Sequence, residues 1–239
     1  MNVQYRLFNI SKICLCTRNY LKLNTKLIPS YVIYRTQMRN DLSTSSIYLR
    51  NDGILKTIVS KLPFVNVSKS RLKVTGYLLY ESVADKIAYS QFFEQYFLPD
   101  TFYSWFVVTE LHVWMLLARI MNEGEDGRFI RNCIVQAMWA DVSIRAKKLG
   151  AANPSGVRTQ IDILSQQFQA ALVAYDEGLL SNDKVLANAI WRRVFQQDCD
   201  NPEHLESLVQ YVRKQIKLLD SHSTEELLNK RQITWTSVN

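Results

Sequence analysis

The side chains that perform most enzyme chemistry are few in this chain and stand far apart. Its three histidines are His112, His204 and His222. A catalytic histidine must lie within hydrogen-bond reach of its substrate. His112 falls in a strongly apolar stretch, where a buried imidazole with satisfied hydrogen bonds is the favoured interpretation, and the other two lie near helix ends, where we expect them to be solvated. An enzyme that uses His112 with a nearby carboxylate is the alternative, and it requires His112 to be reachable from solvent.

The sequence contains few other signals of catalysis or metal binding. Asp176 and Glu177 are adjacent carboxylates, but adjacent side chains diverge on a helix. We therefore interpret them as surface groups or a partner contact. No glycine-rich phosphate loop, nucleophile elbow or paired-cysteine spacing occurs, and Gly124 with Gly127 resembles a surface turn. The sequence predicts no enzyme, no catalytic residue, no metal site and no cofactor.

Clusters of basic residues indicate a different chemistry, which is contact with phosphate. One such cluster is Arg213, Lys214 and Lys217, and another is Arg145, Lys147 and Lys148. A solvated helix face is the favoured interpretation of both clusters. An RNA-binding protein, whose affinity would fall steeply with salt, remains the alternative.

The net charge of +7 comes from the N-terminus. Seven of the 29 basic residues lie in residues 1–40 without any acid, which leaves 22 bases to balance 22 acids elsewhere. Such a segment is typical of a mitochondrial transit peptide, and a basic disordered arm is the alternative. We expect a leader over 1–50, a basic amphipathic linker over 51–69, a helical domain over 70–230 and a tail over 231–239.

The linker contains an amphipathic segment from Gly53 to Leu62, followed by Lys69, Arg71 and Lys73. A basic amphipathic segment can rest on an anionic membrane surface. These three residues are candidates for contact with the membrane or the ribosome. The alternative is the solvated face of a first packed helix.

The element that must position everything else is the stretch from Thr101 to Met121, in which 15 of 21 residues are apolar or aromatic. They fall on every face of a helix, which predicts a buried central helix. Pro99-Asp100 offers an N-cap, and Asn122 to Gly124 offer a C-terminal stop. A membrane span is the weaker alternative, because Glu110, His112 and Arg119 interrupt the stretch.

Helix-period patterns surround this stretch. A helix with a seam of Ile161, Leu164, Phe168, Ala171 and Tyr175 begins at Pro154 and ends at Gly178 in a C′ position. Further helices begin at Asn182 and Asn201-Pro202, and Ser223 with Glu226 predicts a capping box. The sequence therefore predicts an all-α fold: a single globular bundle of about seven or eight helices around a central apolar helix.

An ordered set of short motifs resembles the ubiquinol–cytochrome c chaperone family of mitochondrial complex III assembly factors. The motifs run over about residues 70–220 and include Leu98-Pro99-Asp100-Thr101, Leu111-His112-Val113-Trp114-Met115, Met138-Trp139-Ala140-Asp141, Tyr175-Asp176-Glu177-Gly178, Ala189-Ile190-Trp191-Arg192 and Tyr211-Val212-Arg213-Lys214. The resemblance implies a non-enzymatic helical chaperone, peripheral on the matrix side of the inner mitochondrial membrane. It further implies a small complex III assembly factor as partner, newly synthesised cytochrome b as client, and proximity to the mitochondrial ribosome.

Charge and expected exposure select the candidate contacts for a partner or client. They are Tyr175, Asp176, Glu177, Arg192, Arg193, Arg213, Lys214 and Lys217. Exposed apolar surface with a charged rim is what such a binding protein would use.

Overall fold

The computed structural model describes residues 67–150, 153–230 and 233–238, so the leader and the segment from Gly53 to Leu62 lie outside the described residues. Within these ranges there are seven α-helices and no strand, which confirms the all-α prediction. The helices are α1 (Val67–Lys86), α2 (Tyr89–Gln95), α3 (Phe102–Ile120), α4 (Gly124–Leu149), α5 (Pro154–Leu180), α6 (Asp183–Arg193) and α7 (Pro202–Ser221). A 3-10 turn (Met121–Glu123) joins α3 to α4, and a π turn (Glu226–Lys230) follows α7.

The central helix is α3, as predicted. Every residue from Ser104 to Ile120 is buried, and α1, α2, α4, α5 and α7 all pack against it. By length and composition, the described stretch Phe102–Leu149, which joins α3 to α4, could cross a membrane, but 94% of its qualifying window is buried inside the protein. The apolar character of α3 is therefore accounted for by packing against the other helices.

The N-cap of α3 differs from the prediction. Thr101, rather than Pro99-Asp100, caps the helix, and its side-chain oxygen accepts a hydrogen bond from Ser104 N at 3.2 Å. The extended backbone of Thr101 places its hydroxyl over the first turn, where the amide groups have no partner within the helix.

The predicted starts of the later helices are confirmed. Asn153, Asn182 and Asn201 each accept a hydrogen bond from a first-turn amide of α5, α6 and α7. Ser223 N donates to Glu226 Oε2 at 2.9 Å and Glu226 N donates to Ser223 Oγ at 3.2 Å, which is the predicted capping box. These signals are local, so the sequence contains them in full.

The interpretation of Gly124 and Gly127 as a surface turn is correct for Gly124, which is exposed where the chain turns, and wrong for Gly127, which is buried inside α4. Gly124 is the first residue of α4, and its φ of +63° lets the chain change direction between the two helices. Gly127 is buried in the next turn, where a Cβ would lie 2.1 Å from the carbonyl oxygen of Ile120. Close packing of the two helices, rather than a solvated loop, requires this second glycine.

The predicted C-terminal end of α5 is also wrong. The helix continues past Gly178 to Leu180. A Cβ on Gly178 would lie 2.7 Å from Cα of Leu186 in α6. Gly178 is therefore the point where the backbones of α5 and α6 approach each other, and Tyr175, Asp176 and Glu177 occupy three different faces of the last turns of α5.

The segment after α7 returns across the bundle. Residues 233–238 are neither helix nor strand, and Ile233 and Val238 are buried. Lys86 Nζ of α1 donates to Ile233 O at 3.4 Å, and Gln215 of α7 bonds to Thr234 and Thr236. The described part of the segment that we expected to be a tail is thus packed against the bundle.

Replacement of Gly178 by Ala tests the role of this residue. Inside a helix with free space around it, Gly→Ala stabilises by about 1 kcal/mol. Here we expect a loss of about 1–3 kcal/mol, because the added Cβ must push α6 away from α5. Urea unfolding measures the difference, with Glu177→Ala on the exposed adjacent position as the matched control, expected to change stability by about 0.5 kcal/mol or less. A gain in stability for Gly178→Ala would contradict the close approach.

Candidate functional site

A buried ion pair joins α3 to α6. Arg193 Nε donates to Glu110 Oε1 and Arg193 Nη2 donates to Glu110 Oε2, both at 2.7 Å. Arg193 Nη1 also donates to Tyr103 Oη at 3.2 Å and to Gln167 Oε1 of α5 at 2.9 Å. Glu110 has no exposed surface and Arg193 is 9% exposed. One guanidinium therefore holds three helices together.

Opposing effects act on the charges of this pair. Burial raises the pKa of Glu110, opposed by the hydrogen bonds and charge of Arg193. Burial lowers the pKa of Arg193, but the hydrogen bonds and charge of Glu110 outweigh it, so the net pKa of Arg193 is raised. Two parallel hydrogen bonds of 2.7 Å are the geometry of a carboxylate with a guanidinium. Glu110 and Arg193 are therefore both charged.

Tyr175 lies next to this pair with its hydroxyl buried and outside good hydrogen-bond geometry. Burial, followed by the charge of Glu110, raises the pKa of Tyr175 well above its usual value. The Tyr175 ring packs against Trp114, with ring centroids 5.0 Å apart. Tyr175 is thus a neutral core residue and does not reach the surface.

Asp176 also points inward. Its Oδ1 accepts a hydrogen bond from Trp114 Nε1 at 2.8 Å. Burial raises the pKa of Asp176 to about 7, opposed by this hydrogen bond. The adjacent Glu177 is exposed, so the two carboxylates diverge as expected and do not form a catalytic pair.

His112 is fully enclosed in the core. Its Nδ1 lies 2.7 Å from the carbonyl oxygen of Val108 and its Nε2 lies 2.7 Å from Tyr211 Oη. A carbonyl oxygen only accepts, so Nδ1 carries the proton and Nε2 accepts from the Tyr211 hydroxyl. Burial lowers the pKa of His112 to about 4. The enzyme hypothesis required solvent access to His112, and with 0% of its surface exposed that hypothesis fails.

Arg213 on α7 binds the C-terminal end of α5. Its Nη1 donates to Leu179 O at 2.9 Å, its Nη2 donates to Gly178 O at 3.2 Å, and its Nε donates to Asp183 Oδ1 at 3.0 Å. The last carbonyls of a helix have no partner within it, and a cation there is favoured by the helix dipole. Arg213 therefore ties the end of α5 and the start of α6 to α7.

The remaining predicted contacts of this group lie at the surface. Glu177 on α5, Arg192 on α6, and Lys214 and Lys217 on α7 are exposed. Nothing in the arrangement tests whether they contact a partner, so that role stays a prediction. The structure does separate Arg192 from Arg193, which the sequence could not do, since two adjacent arginines look alike until the packing is known.

The predicted membrane or ribosome contacts lie on α1. Lys69 and Arg71 are exposed and Lys73 is partly buried. Arg71 Nη2 donates to Asn229 Oδ1 in the π turn at 2.7 Å. These side chains lie where α1 meets the π turn, and their predicted contact with lipid or ribosome is untested.

The sequence analysis missed three exposed aliphatic residues on α5. Ile163, Val173 and Leu180 are 41%, 40% and 49% exposed. All three fall off the buried seam of α5, which contains Ile161, Leu164 and Phe168. Aliphatic residues outside the inward-facing period were the available signal. Phe97 (81% exposed, φ +51°) and Leu149 (72% exposed) also present apolar surface.

The ionisable groups do not form a metal site in the part of the chain that the structure describes, where no cluster of three or more His, Cys, Asp or Glu could hold an ion.

A family model described as ubiquinol–cytochrome C chaperone matches residues 94–235, which is more than half of the chain. The chain belongs to this chaperone family. The matched range contains the Glu110–Arg193 pair, His112 and the exposed face of α7, but not the basic residues of α1.

Individual relatives agree with the family match. The chain is 59% identical over 187 residues to ubiquinol–cytochrome c reductase complex assembly factor 1 of Drosophila melanogaster, covering 77% of this chain and 72% of that protein. The human protein of the same name is 40% identical over 186 residues, covering 77% of this chain and 62% of the human protein. The protein CBP3, mitochondrial, of Saccharomyces cerevisiae is 33% identical over 139 residues, covering 56% of this chain and 41% of the yeast protein.

A solved structure shows a similar fold. The crystal structure of the Cbp3 homolog from Brucella abortus matches with a TM-score of 0.58 at 21% identity, covering 78% of this chain and 98% of that chain. The helical arrangement of this chaperone family member is therefore shared with an experimentally determined structure.

Removal of either partner of the Glu110–Arg193 pair should lower the stability of the protein strongly. Removing one partner of a buried ion pair costs about 3–5 kcal/mol, because the other charge is left buried and alone. We expect this loss for Glu110→Leu and for Arg193→Met in urea unfolding. The double variant should lose clearly less than the sum of the two, since neither charge remains.

Arg192→Met is the matched control for Arg193→Met. Arg192 has the same side chain one position earlier but is exposed, so we expect a change of about 0.5 kcal/mol or less. Equal losses for Arg192→Met and Arg193→Met, or fully additive losses in the double variant, would contradict the ion pair as a buried unit.

Asp176 predicts a defined pH dependence. The carboxyl titrates near 3.8 in its ordinary state and near 7 in the folded protein. Between pH 3.8 and pH 7 the folded state holds a proton that the unfolded state has released. The contribution of protonated Asp176 to the free energy of unfolding is therefore complete below pH 3.8 and is lost as the pH rises to 7. Asp176→Asn keeps an acceptor for Trp114 without titrating. We expect its stability relative to the native chain to rise from pH 4 to pH 7 and to be constant above.

Urea unfolding at pH 4 to 8 measures this difference, in which the opposite contribution of His112 cancels because both proteins contain it. The slope approaches about 1.4 kcal/mol per pH unit before screening by solvent. Asp162→Asn, at an exposed aspartate on the same helix, is the control for the loss of a carboxylate from α5. Identical pH profiles for the two variants would mean that Asp176 is not perturbed.

Proposed function

We propose that this protein is a mitochondrial assembly chaperone for ubiquinol–cytochrome c reductase, complex III. Its client is newly synthesised cytochrome b, which it binds together with a small assembly factor. The observation that carries the proposal is the 59% identity over 187 residues to an insect protein named as an assembly factor of that complex. The protein acts as a peripheral protein on the matrix side of the inner membrane, close to the mitochondrial ribosome.

Binding, rather than catalysis, is the chemistry that this function needs. The ionisable groups that could have supported catalysis are enclosed, with His112 and Glu110 at 0% exposure. Their hydrogen bonds go to neighbouring helices and hold the bundle together. The exposed surface is therefore the part of the molecule to which we assign the function.

We assign the apolar client to an exposed face of α5 that consists of Val173, Glu177 and Leu180. Glu177 lies four residues after Val173 and three before Leu180, so the three share one helix face. Two partly exposed aliphatic side chains on this face suit a hydrophobic client segment, and the carboxylate between them keeps the free surface soluble.

The small assembly factor is assigned to the basic surface of α6 and α7, formed by Arg192, Lys214 and Lys217. These side chains are exposed. They lie on α6 and α7, the two helices whose positions Arg193 and Arg213 fix through their hydrogen bonds. Charged residues at the rim of an interface chiefly accelerate association and select the partner. The basic residues Lys69, Arg71 and Lys73 are assigned to the ribosome or the membrane.

Affinity purification of the tagged protein from mitochondria tests the function. The native chain should recover cytochrome b, a small assembly factor and ribosomal proteins, and depletion of the protein should lower the amount of assembled complex III. Absence of both effects would overturn the proposed function.

Two variants test the surfaces in the same experiment. Lys214→Glu with Lys217→Glu should lose most of the small factor by charge repulsion, and Val173→Asp with Leu180→Asp should lose cytochrome b. Arg213 is left intact, because its four hydrogen bonds make its loss a folding defect as well. Lys147→Glu with Lys148→Glu, an exposed basic pair at the end of α4, is the control and should recover both proteins. Unchanged recovery by either surface variant would dismiss that surface.

A further inference from the structure

The C-terminal segment 233–238 is bound to the bundle in the way that a peptide is bound in a groove. We define the tail groove by Ser82 and Lys86 of α1, His112 of α3, and Gln215 of α7. Ile233 and Val238 are buried, while Thr234 and Ser237 face solvent. The segment occupies this groove without regular secondary structure rather than as a helix packed in the core.

Gln215 holds the main chain of this segment at two points. Its Nε2 donates to Thr234 O at 3.0 Å, and its Oε1 accepts from Thr236 N at 3.0 Å. These two groups flank Trp235, so the side-chain amide pairs with the segment as a residue of a neighbouring parallel strand would. Lys86 Nζ adds a bond to Ile233 O at 3.4 Å. Three contacts are thus made to backbone atoms, which any extended peptide possesses.

Trp235 supplies the anchor. Its ring stands edge-on to the His112 ring, with centroids 5.2 Å apart, and its Nε1 donates to Ser82 Oγ at 3.4 Å. The His112 ring in turn packs against Phe92 and Tyr211, with ring centroids 5.1 and 5.7 Å apart. The groove therefore combines main-chain pairing with one pocket for an aromatic side chain, the combination by which proteins recognise extended peptides.

The segment satisfies the side-chain amide of Gln215. With the segment in place Gln215 is 0% exposed, and both ends of its amide bond to the main chain of the segment. An extended segment of another protein offers the same main-chain donors and acceptors. The segment follows the π turn through residues 231 and 232, so it is a covalently attached occupant at high local concentration.

We propose that the tail groove is a peptide-binding site for an extended segment of an interacting protein that contains an aromatic anchor residue. The chain's own residues 233–238 fill the site in cis, and the partner segment displaces them. This inference does not depend on the identity of the client or on a role in complex III assembly.

Binding of a labelled peptide in trans tests the proposal. The probe is a fluorescein-labelled peptide with the sequence of residues 231–239, added to the chain that ends at residue 232. We expect saturable one-to-one binding by fluorescence anisotropy, and at least tenfold weaker binding to the full chain, whose groove is occupied. A truncated chain that is folded by circular dichroism but binds no probe would overturn the proposal.

Matched variants separate groove recognition from non-specific binding. Gln215→Leu in the truncated chain and Trp235→Ala in the peptide should each weaken binding at least tenfold. A peptide with Phe in place of Trp235 should bind within about tenfold of the native peptide, because main-chain pairing is retained. Rejection of the Phe peptide would overturn a partner-binding role, since the groove would then accept its own tail alone.

A second protein form covers the case in which the truncated chain does not fold. A protease site inserted between residues 230 and 233 of the full chain allows the tail to be cut after folding. Exchange of the cut tail for the labelled peptide under native conditions would support the proposal. Release of the tail only on unfolding would overturn it, because the segment would then be a fixed part of the core. A concentration-dependent dimer in place of peptide exchange would mean that the groove serves a second copy of the chain, which also contradicts the proposal.

Discussion

The structure depends on one constraint, which is that α3 must be covered on every side. A helix that is apolar all round cannot leave a face in water, so the other helices pack around it. Its interior polar groups then require partners from those helices. Glu110 is paired with α6, His112 with α7, Thr109 with Tyr89 of α2, and Trp114 with Asp176 of α5.

These polar pairs explain why the neighbours have fixed positions. Apolar packing alone tolerates sliding and repacking, whereas a bidentate ion pair or a histidine between a carbonyl and a tyrosine fits one arrangement. Arg119 and Arg213 add the same constraint at helix ends, where their guanidinium groups bind the carbonyls that end α7 and α5. Burial of polar groups in this protein therefore supports a unique arrangement more clearly than it supports raw stability.

The sequence predicted the elements of the fold better than the contacts between them. Caps at Asn182 and Asn201 and the seam of α5 depend on residues a few positions apart, so they are readable locally. The end of α5 was mispredicted because Gly178 suits a C′ position by itself, and only the proximity of Leu186 shows its other use. Likewise, Arg193 and Arg213 resemble surface cations in sequence, but their guanidinium groups are bound by partners 83 and 34 residues away. Of the predicted partner contacts, only the side chains that the packing leaves exposed remain candidates, and these are Glu177, Arg192, Lys214 and Lys217.

The order of synthesis gives the long-range partners of α3 a further consequence. Its contacts with Tyr211 and with Leu219 span 99 and 100 residues. At about 5–20 residues per second, a ribosome needs roughly 5–20 s to add such a length. During that interval α3, which is apolar on every face, has left the ribosome or is leaving it before α7 exists to cover it. A protein whose family assists the biogenesis of others thus has a vulnerable stage in its own biogenesis, and early termination before α7 would expose the face of α3 that α7 covers.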